Sequence, residues 1–108
     1  MKNVPCYIKF LSVEPLLERV DLTSYLQSLQ WIIVGGESGY EYGKYRYRPC
    51  ELEWIRDVIQ QCKDADVPVF VKQLGTYLAK RLKLRDSKGG NMNEWPKDIR
   101  IREFPEAH

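Results

Sequence analysis

Three apolar segments of this chain each run directly into polar residues, and this repeated arrangement constrains the fold most. The segments are FLSVEP at 10–15, WIIVGGESG at 31–39 and PVFVKQLG at 68–75. Buried parallel strands read as near-continuous apolar runs, and parallel α/β sheets bind ligands outside the carboxyl ends of their strands. The three segments therefore predict a parallel sheet that gathers polar groups along one edge.

The segment between the second and third predicted strands has the clearest helical period. Leu52, Ile55, Ile59 and Cys62 recur at three- and four-residue steps, which predicts a helix over about 51–64. A strand, a helix and a second strand in this order form a βαβ unit with a right-handed crossover. The sequence thus predicts an α/β fold with a small, mainly parallel sheet of three or four strands and one to three helices.

The remaining elements follow from shorter patterns. Thr23 or Ser24 is a candidate cap for a helical turn that ends at Leu29, and residues 76–84 predict a short basic helix. Residues 98–104 alternate apolar and basic side chains and predict an edge strand. The other three strands are predicted at 7–13, 31–35 and 69–72.

Length and charge narrow the class of protein. The 108 residues fit one domain, 1–108, and the net charge is only +2, so nucleic-acid binding would need a local basic patch. No apolar run approaches the ~20 residues of a membrane span, and the first residues do not resemble a signal peptide. A cytoplasmic protein without a membrane partner is expected.

The cysteine and histidine content argues against several kinds of site. Cys6, Cys50 and Cys62 are odd in number and widely spaced, which fits neither a disulfide framework nor a paired-cysteine metal site. We expect three reduced structural thiols and no metal. His108 is the only histidine, so no Ser/His or Cys/His catalytic pair is expected.

The polar residues near the three strand ends are the candidate ligand-binding set. Glycines there let the backbone approach a ligand, glutamates suit polar or cationic groups, and Lys or Arg suits anionic groups. Each residue also has an ordinary interpretation as a turn glycine, a solvated glutamate or a surface cation. The set is Glu14, Gly36, Glu37, Ser38, Gly39, Arg48, Lys72 and Gln73.

A second candidate surface lies in the long loop after the second strand. Its aromatic side chains alternate with cations, as a surface for single-stranded nucleic acid requires. A tyrosine-rich loop that packs on its own domain, with its arginines paired to glutamates, would have the same sequence. The residues are Tyr42, Lys44, Tyr45, Arg46, Tyr47 and Arg48.

Several motifs, taken in order, resemble one family. The chain is similar to the phage protein gp thirty-seven/gp sixty-eight family, a domain of unknown function, in FLSVEPLL, WIIVGGESG, Arg48-Pro49, VPVFVKQLG and KGGNMNEWPKDIRIREFP. The resemblance covers nearly the whole chain but only the C-terminal part of longer members. Those members carry an upstream cysteine cluster and look like radical S-adenosylmethionine (SAM) enzymes with a βα barrel, in which such clusters hold iron–sulfur centres.

The resemblance implies that this chain forms the last part of a TIM-like barrel, with the candidate set on the catalytic face. No cysteine cluster matches here, so an iron–sulfur cluster and S-adenosylmethionine are expected only in longer relatives. The leading hypothesis is a barrel piece that supplies rim residues to a substrate pocket and is not a catalyst by itself, its partner being the missing N-terminal barrel part. The alternatives are a standalone nucleic-acid-binding module and a structural domain that self-associates through sheet edges.

Overall fold

The structure is a computed structural model that describes residues 9–39 and 48–105. Three strands form a parallel sheet in the order β1 (Phe10–Val13), β2 (Trp31–Gly35) and β3 (Val69–Gln73). One helix follows each strand: α1 (Thr23–Leu26), α2 (Leu52–Asp64) and α3 (Thr76–Arg81). Two short 3₁₀ helices come after α3, at Met92–Glu94 and Lys97–Ile99. The predicted α/β class and the parallel sheet are confirmed.

The register of the sheet places the three carboxyl ends at one edge. β1 pairs with β2 from Phe10 opposite Trp31 onward. β2 pairs with β3 from Ile32 opposite Val69, and a register shift at the end of β2 brings Gly35 opposite Gln73. Polar residues that follow each strand are therefore neighbours in space, as the apolar-to-polar pattern predicts.

On one face of the sheet, the side chains of β2 and β3 are fully buried beneath α2. The buried strand residues, each with no exposed surface, are Ile32, Val34, Val69 and Val71. The buried residues of α2 are Ile55, Val58, Ile59 and Cys62. These are the helical positions that the three- and four-residue period predicts, and α2 contacts both β2 and β3. Fully burying one aliphatic side chain stabilises by about 1.5–3 kcal/mol, so this contact is a large part of the hydrophobic core, to which Leu16, Trp95 and Ile99 also belong.

The opposite face, which we call the open face, is only partly covered by the described residues. It carries Phe10, Ser12, Trp31, Ile33, Phe70 and Lys72, none of them fully buried. The Trp31 ring lies 5.9 Å from Phe10 and 6.1 Å from Phe70, measured between centroids, and Phe104 packs against the same rings. Parallel sheets normally have both faces covered. The aromatic side chains of Phe10, Trp31 and Phe70 give the open face the composition of such a covered, interior surface.

The outer edge of β3 is covered by the segment after the second 3₁₀ helix. Val71 N donates to Ile101 O and Glu103 N donates to Val69 O, each at 2.9 Å. The predicted edge strand over 98–104 is nevertheless wrong, because only Arg102 forms a strand-like bridge, to Phe70. Its first residues instead belong to the 3₁₀ helix, where Ile99 N donates to Pro96 O and the Ile99 side chain is fully buried.

Other boundaries shift for local reasons. The helix predicted to reach residue 84 ends at Arg81. Lys83 has a φ of 58°, in the left-handed region, and Leu84 N donates back to Ala79 O, which is a common way for an α-helix to end. The predicted turn through Leu29 is helical only to Leu26. Residues 7 and 8 of the first predicted strand lie outside the described residues.

The chain after β2 passes very close to the chain after β3. A Cβ atom at Gly36 would lie 2.1 Å from Leu74 O and 2.8 Å from Leu74 C. Both are backbone atoms, and Leu74 N donates to Gly89 O at 2.9 Å, so they cannot move aside as the end of a flexible side chain would. Glycine at this position is therefore a packing requirement.

Gly36→Ala should lower the free energy of unfolding by at least about 2 kcal/mol, since the new methyl group forces the two backbone segments apart. Urea denaturation measures the change. Gly90→Ala is the control, because a Cβ there meets only the Asp86 carboxylate, at 3.1 Å. Equal stability of the two variants would contradict the close approach.

Candidate functional site

Two opposite charges meet across the middle strand at the carboxyl edge of the open face. Lys72 Nζ lies 3.4 Å from Glu14 Oε1. Ser12 Oγ donates to the other oxygen, Glu14 Oε2, at 2.5 Å. We call these three residues the charged bridge. It brings together two candidates that the sequence places on separate strands.

The absence of a side chain at Gly35 makes room for the charged bridge. Glu14 follows β1 and Lys72 lies on β3, and these strands are about 10 Å apart with β2 between them. A Cβ atom at Gly35 would lie 3.3 Å from Glu14 Oε1 and 3.3 Å from Gln73 O. A Cβ at position 35 would therefore be in tight contact with the Glu14 carboxylate, and a larger side chain would enter its space.

The charged bridge is accessible to solvent and contributes little to folding. The Lys72 side chain is 57% exposed and the Glu14 side chain 25%. Exposed ion pairs of this kind are worth about 0–1 kcal/mol, so a loose pair at 3.4 Å is easily opened. Its carboxylate can accept hydrogen bonds from a ligand, and its ammonium can bind an anionic group.

Glu37 and Arg48 bind each other. The Arg48 backbone N and Nε donate to Glu37 Oε1 at 2.8 and 3.0 Å, and a terminal guanidinium nitrogen donates to Oε2 at 2.7 Å. The side-chain hydrogen bonds from Arg48 hold the pKa of Glu37 below its ordinary value. The pair joins the two ends of the segment between these residues, so neither charge is free for a ligand in this arrangement.

The glycines after β2 also use their polar groups within the protein. Gly36 N donates to Gln73 O, and Gln73 Nε2 donates back to Gly36 O, both at 3.0 Å. Gly39 N donates to Thr76 Oγ1 at 3.1 Å. These bonds attach the loop after β2 to the start of α3. Among residues 36–39, only Ser38 is exposed.

The predicted nucleic-acid surface lies almost entirely outside the described residues. Tyr42, Lys44, Tyr45, Arg46 and Tyr47 belong to 40–47, which the structure does not describe. Arg48 is described, and its guanidinium lies on Glu37. For this residue the structure has the arginine–glutamate pairing of the ordinary interpretation.

Arg102 is a residue of the site's surroundings that sequence reasoning missed. Its guanidinium lies 5.2 Å from the ring centroids of Phe70 and Trp95. It also donates to Val71 O, Lys72 O and Gly90 O, the shortest of these bonds being 2.7 Å, to Lys72 O. Arg102 thereby fixes the backbone from which Lys72 projects. In the sequence, its alternation with Ile101 predicted only a position on an edge strand.

Residues 1–101 match the family described as "Protein of unknown function (DUF5131)". The chain belongs to this family. No curated protein and no solved structure matches it. The expectation of a domain of unknown function is confirmed, and the geometry at the strand ends has to carry the functional argument for this member of the family.

The described thiols do not offer metal ligands. Cys50 and Cys62 are free and buried, and burial raises the pKa of each thiol to about 12. Within the described residues, no three His, Cys, Asp or Glu side chains cluster as metal ligands would. Cys6 lies outside the described residues. Over the same described ranges, no helix has the length and apolar character needed to cross a membrane.

Arg48→Met should raise the pKa of Glu37, because the hydrogen bonds that favour the carboxylate are lost. In the folded wild type this pKa is lowered. The Glu37–Arg48 pair therefore stabilises the folded state fully above the unfolded pKa of about 4.3. This stabilisation is lost as the pH falls through the lowered pKa of the folded state. Carbon-13 NMR titration of the Glu37 carboxyl group measures the shift. Arg85→Met, which removes a distant exposed cation, should leave it unchanged.

Gly35→Val should separate the charged bridge, because its side chain would occupy the place of the Glu14 carboxylate. Nuclear Overhauser contacts between the Lys72 and Glu14 side chains should be visible in the wild type and absent in this variant. Ile33→Val, on the same strand and face, is the control and should keep them. Contacts that persist in Gly35→Val would show that the bridge does not depend on glycine.

Proposed function

We propose that this chain is the C-terminal piece of a radical-SAM-like βα barrel of the phage gp thirty-seven/gp sixty-eight type, and that it supplies residues to the rim of a substrate pocket. The observation that carries the proposal is the charged bridge at the carboxyl edge of a parallel sheet. It consists of two accessible opposite charges held side by side above a glycine. Ligands of parallel α/β sheets bind at this edge.

The difference between the helix-covered face and the open face of the sheet supports a barrel arrangement. In a TIM-like barrel the helices cover the outside of the sheet, and the other face of each strand points to the packed interior. Here α2 covers one face, while Trp31, Ile33 and Phe70 line the other. Below the rim, these apolar side chains would pack against the missing N-terminal barrel part. At the rim, the charged bridge would face the pocket.

The candidate residues divide into two roles under this proposal. Glu14 and Lys72 contact the substrate. Glu14 binds a polar or cationic group of the substrate, and Lys72 binds an anionic group. Glu37, Arg48 and Gln73 hold the loop after β2 in position. We assign no catalytic residue to this chain, which by itself supplies only part of a pocket.

The cofactors of radical enzymes do not fit the described residues of this chain. An iron–sulfur cluster needs thiolates, and the described thiols, Cys50 and Cys62, are buried with a raised pKa. We therefore assign any iron–sulfur cluster and S-adenosylmethionine to the upstream part of longer relatives. Free buried thiols are typical of a reducing compartment, which supports a cytoplasmic location.

Nucleic-acid binding remains the less favoured function. Of its six candidate residues the structure describes Arg48, and the Arg48 guanidinium is held by Glu37. The charged bridge, in contrast, joins the end of β1 to β3 and is open to solvent. The rim function is therefore the better supported of the two.

The test begins with the native protein purified from its source cells. It should contain an upstream barrel part, on the same or a separate polypeptide, together with iron and sulfide, and it should bind S-adenosylmethionine. Small molecules that co-purify are then detected by native mass spectrometry. Glu14→Gln and Lys72→Met should each bind these small molecules with at least about tenfold lower affinity, because each variant lacks one charge-assisted contact.

Lys97→Met, which removes an exposed cation of the second 3₁₀ helix, is the matched control and should retain the small molecule. Circular dichroism checks that all three variants fold. A native protein free of iron, or rim variants that bind the co-purifying molecule as well as the control does, would contradict the proposed function.

A further inference from the structure

Among the described residues, β1 is the free edge of the sheet, whereas the far edge of β3 is covered. Lys9 directs its main chain toward β2, since Lys9 N donates to Gln30 Oε1 and Lys9 O accepts from Gln30 N. Main-chain groups alternate in direction along a strand. Leu11 and Val13 therefore also face β2, and the N–H and C=O groups of Phe10 and Ser12 point away from the sheet.

The same edge exposes two large apolar side chains. Phe10 is 55% exposed and Leu11 is 36% exposed. They lie on opposite faces of the sheet, Phe10 beside Trp31 on the open face and Leu11 beside Ile32 on the helix-covered face. An apolar edge strand with unpaired main-chain groups is a template for pairing with another strand.

We propose that a second copy of this chain pairs with this edge, antiparallel, about a two-fold axis at Leu11. Phe10 then lies opposite Ser12 of the second copy, and these residues exchange N–H···O=C bonds in both directions. The two-fold axis generates an identical second pair, Ser12 opposite Phe10 of the second copy, so four main-chain hydrogen bonds form in total. The product is one six-stranded sheet in which the two β1 strands are central neighbours.

This register covers the exposed apolar side chains on both faces. Leu11 lies directly opposite Leu11 of the second copy, in a pair without main-chain bonds, where side chains are closest. The two Phe10 rings are diagonal neighbours, at a separation that aromatic side chains bridge. With the axis at Ser12, Phe10 would instead lie opposite Glu14. That register would lose both the contact between the two Leu11 side chains and the contact between the two Phe10 rings.

Charge favours this antiparallel arrangement over a parallel one. The strand has Lys9 at its amino end and Glu14 just beyond its carboxyl end. An antiparallel pair keeps the two Lys9 side chains apart and the two Glu14 side chains apart, whereas a parallel, in-register pair would set like charges together. A strand of four residues buries much less than the ~800 Å² per partner of a standard interface, so the dimer is weak and forms at high concentration.

The inference goes beyond the proposed function, because it concerns the free edge of the sheet in the 108-residue chain. Its test substitutes no residue of the pocket rim. A monomeric chain would leave the rim proposal untouched, and failure of the rim proposal would leave the dimer untouched.

Sedimentation velocity of the 108-residue chain, from about 10 μM to about 1 mM, should show a reversible monomer–dimer equilibrium. Leu11→Lys should weaken it at least about tenfold, because two ammonium groups then face each other across the axis. Leu82→Lys is the matched control, since Leu82 is 37% exposed against 36% for Leu11. A chain that stays monomeric throughout, or an equal effect of both variants, overturns the proposal.

A cross-linking experiment tests the register. Leu11→Cys, in a Cys6→Ser background, should form a disulfide-linked dimer with oxidised glutathione, because opposed Cβ atoms about 4.5–5.5 Å apart lie close to disulfide range. Cys50 and Cys62 are buried and should not compete. Leu82→Cys in the same background is the control. Cross-linking at position 82 as fast as at position 11 would contradict the two-fold axis.

Discussion

The end of β2 depends on two adjacent positions without side chains. At Gly35, the missing side chain leaves room for the Glu14 carboxylate to reach Lys72 across the strand. At Gly36, it lets the backbone of Leu74 come within a distance that no Cβ tolerates. The first glycine leaves room for the charged bridge, and the second lets the chain after β3 pack directly against the chain after β2.

Much of the architecture was predictable because it follows from local periodicity. The apolar runs mark β2 and β3, and the three- and four-residue recurrence marks α2 and its buried face. The segment over 98–104 was not predictable in the same way. Its alternation of Ile and Arg fits a strand, but Ile99 is buried by tertiary packing within a 3₁₀ helix. Alternation alone cannot separate these outcomes.

The candidate site was predictable in position but not in pairing. The polar residues do gather at one edge, since parallel strands end together. Their partners depend on register and side-chain reach, which the sequence does not display: Glu37 is held by Arg48, eleven residues away. Ser12 could have been inferred, because it lies two residues before Glu14 and alternate strand residues share a face. Arg102 could not, since its contacts come from three separate segments.

The charged bridge also limits how relatives of this chain can diverge. Residue 35 has no freedom to grow while an acidic side chain at 14 lies across the strand toward a basic one at 72. Loss of the acidic side chain at position 14 would free the space beside residue 35, and a larger residue at position 35 would displace that side chain from Lys72. Substitutions at these positions are therefore expected to arrive together, although they lie near the ends of three different strands and are far apart in the sequence.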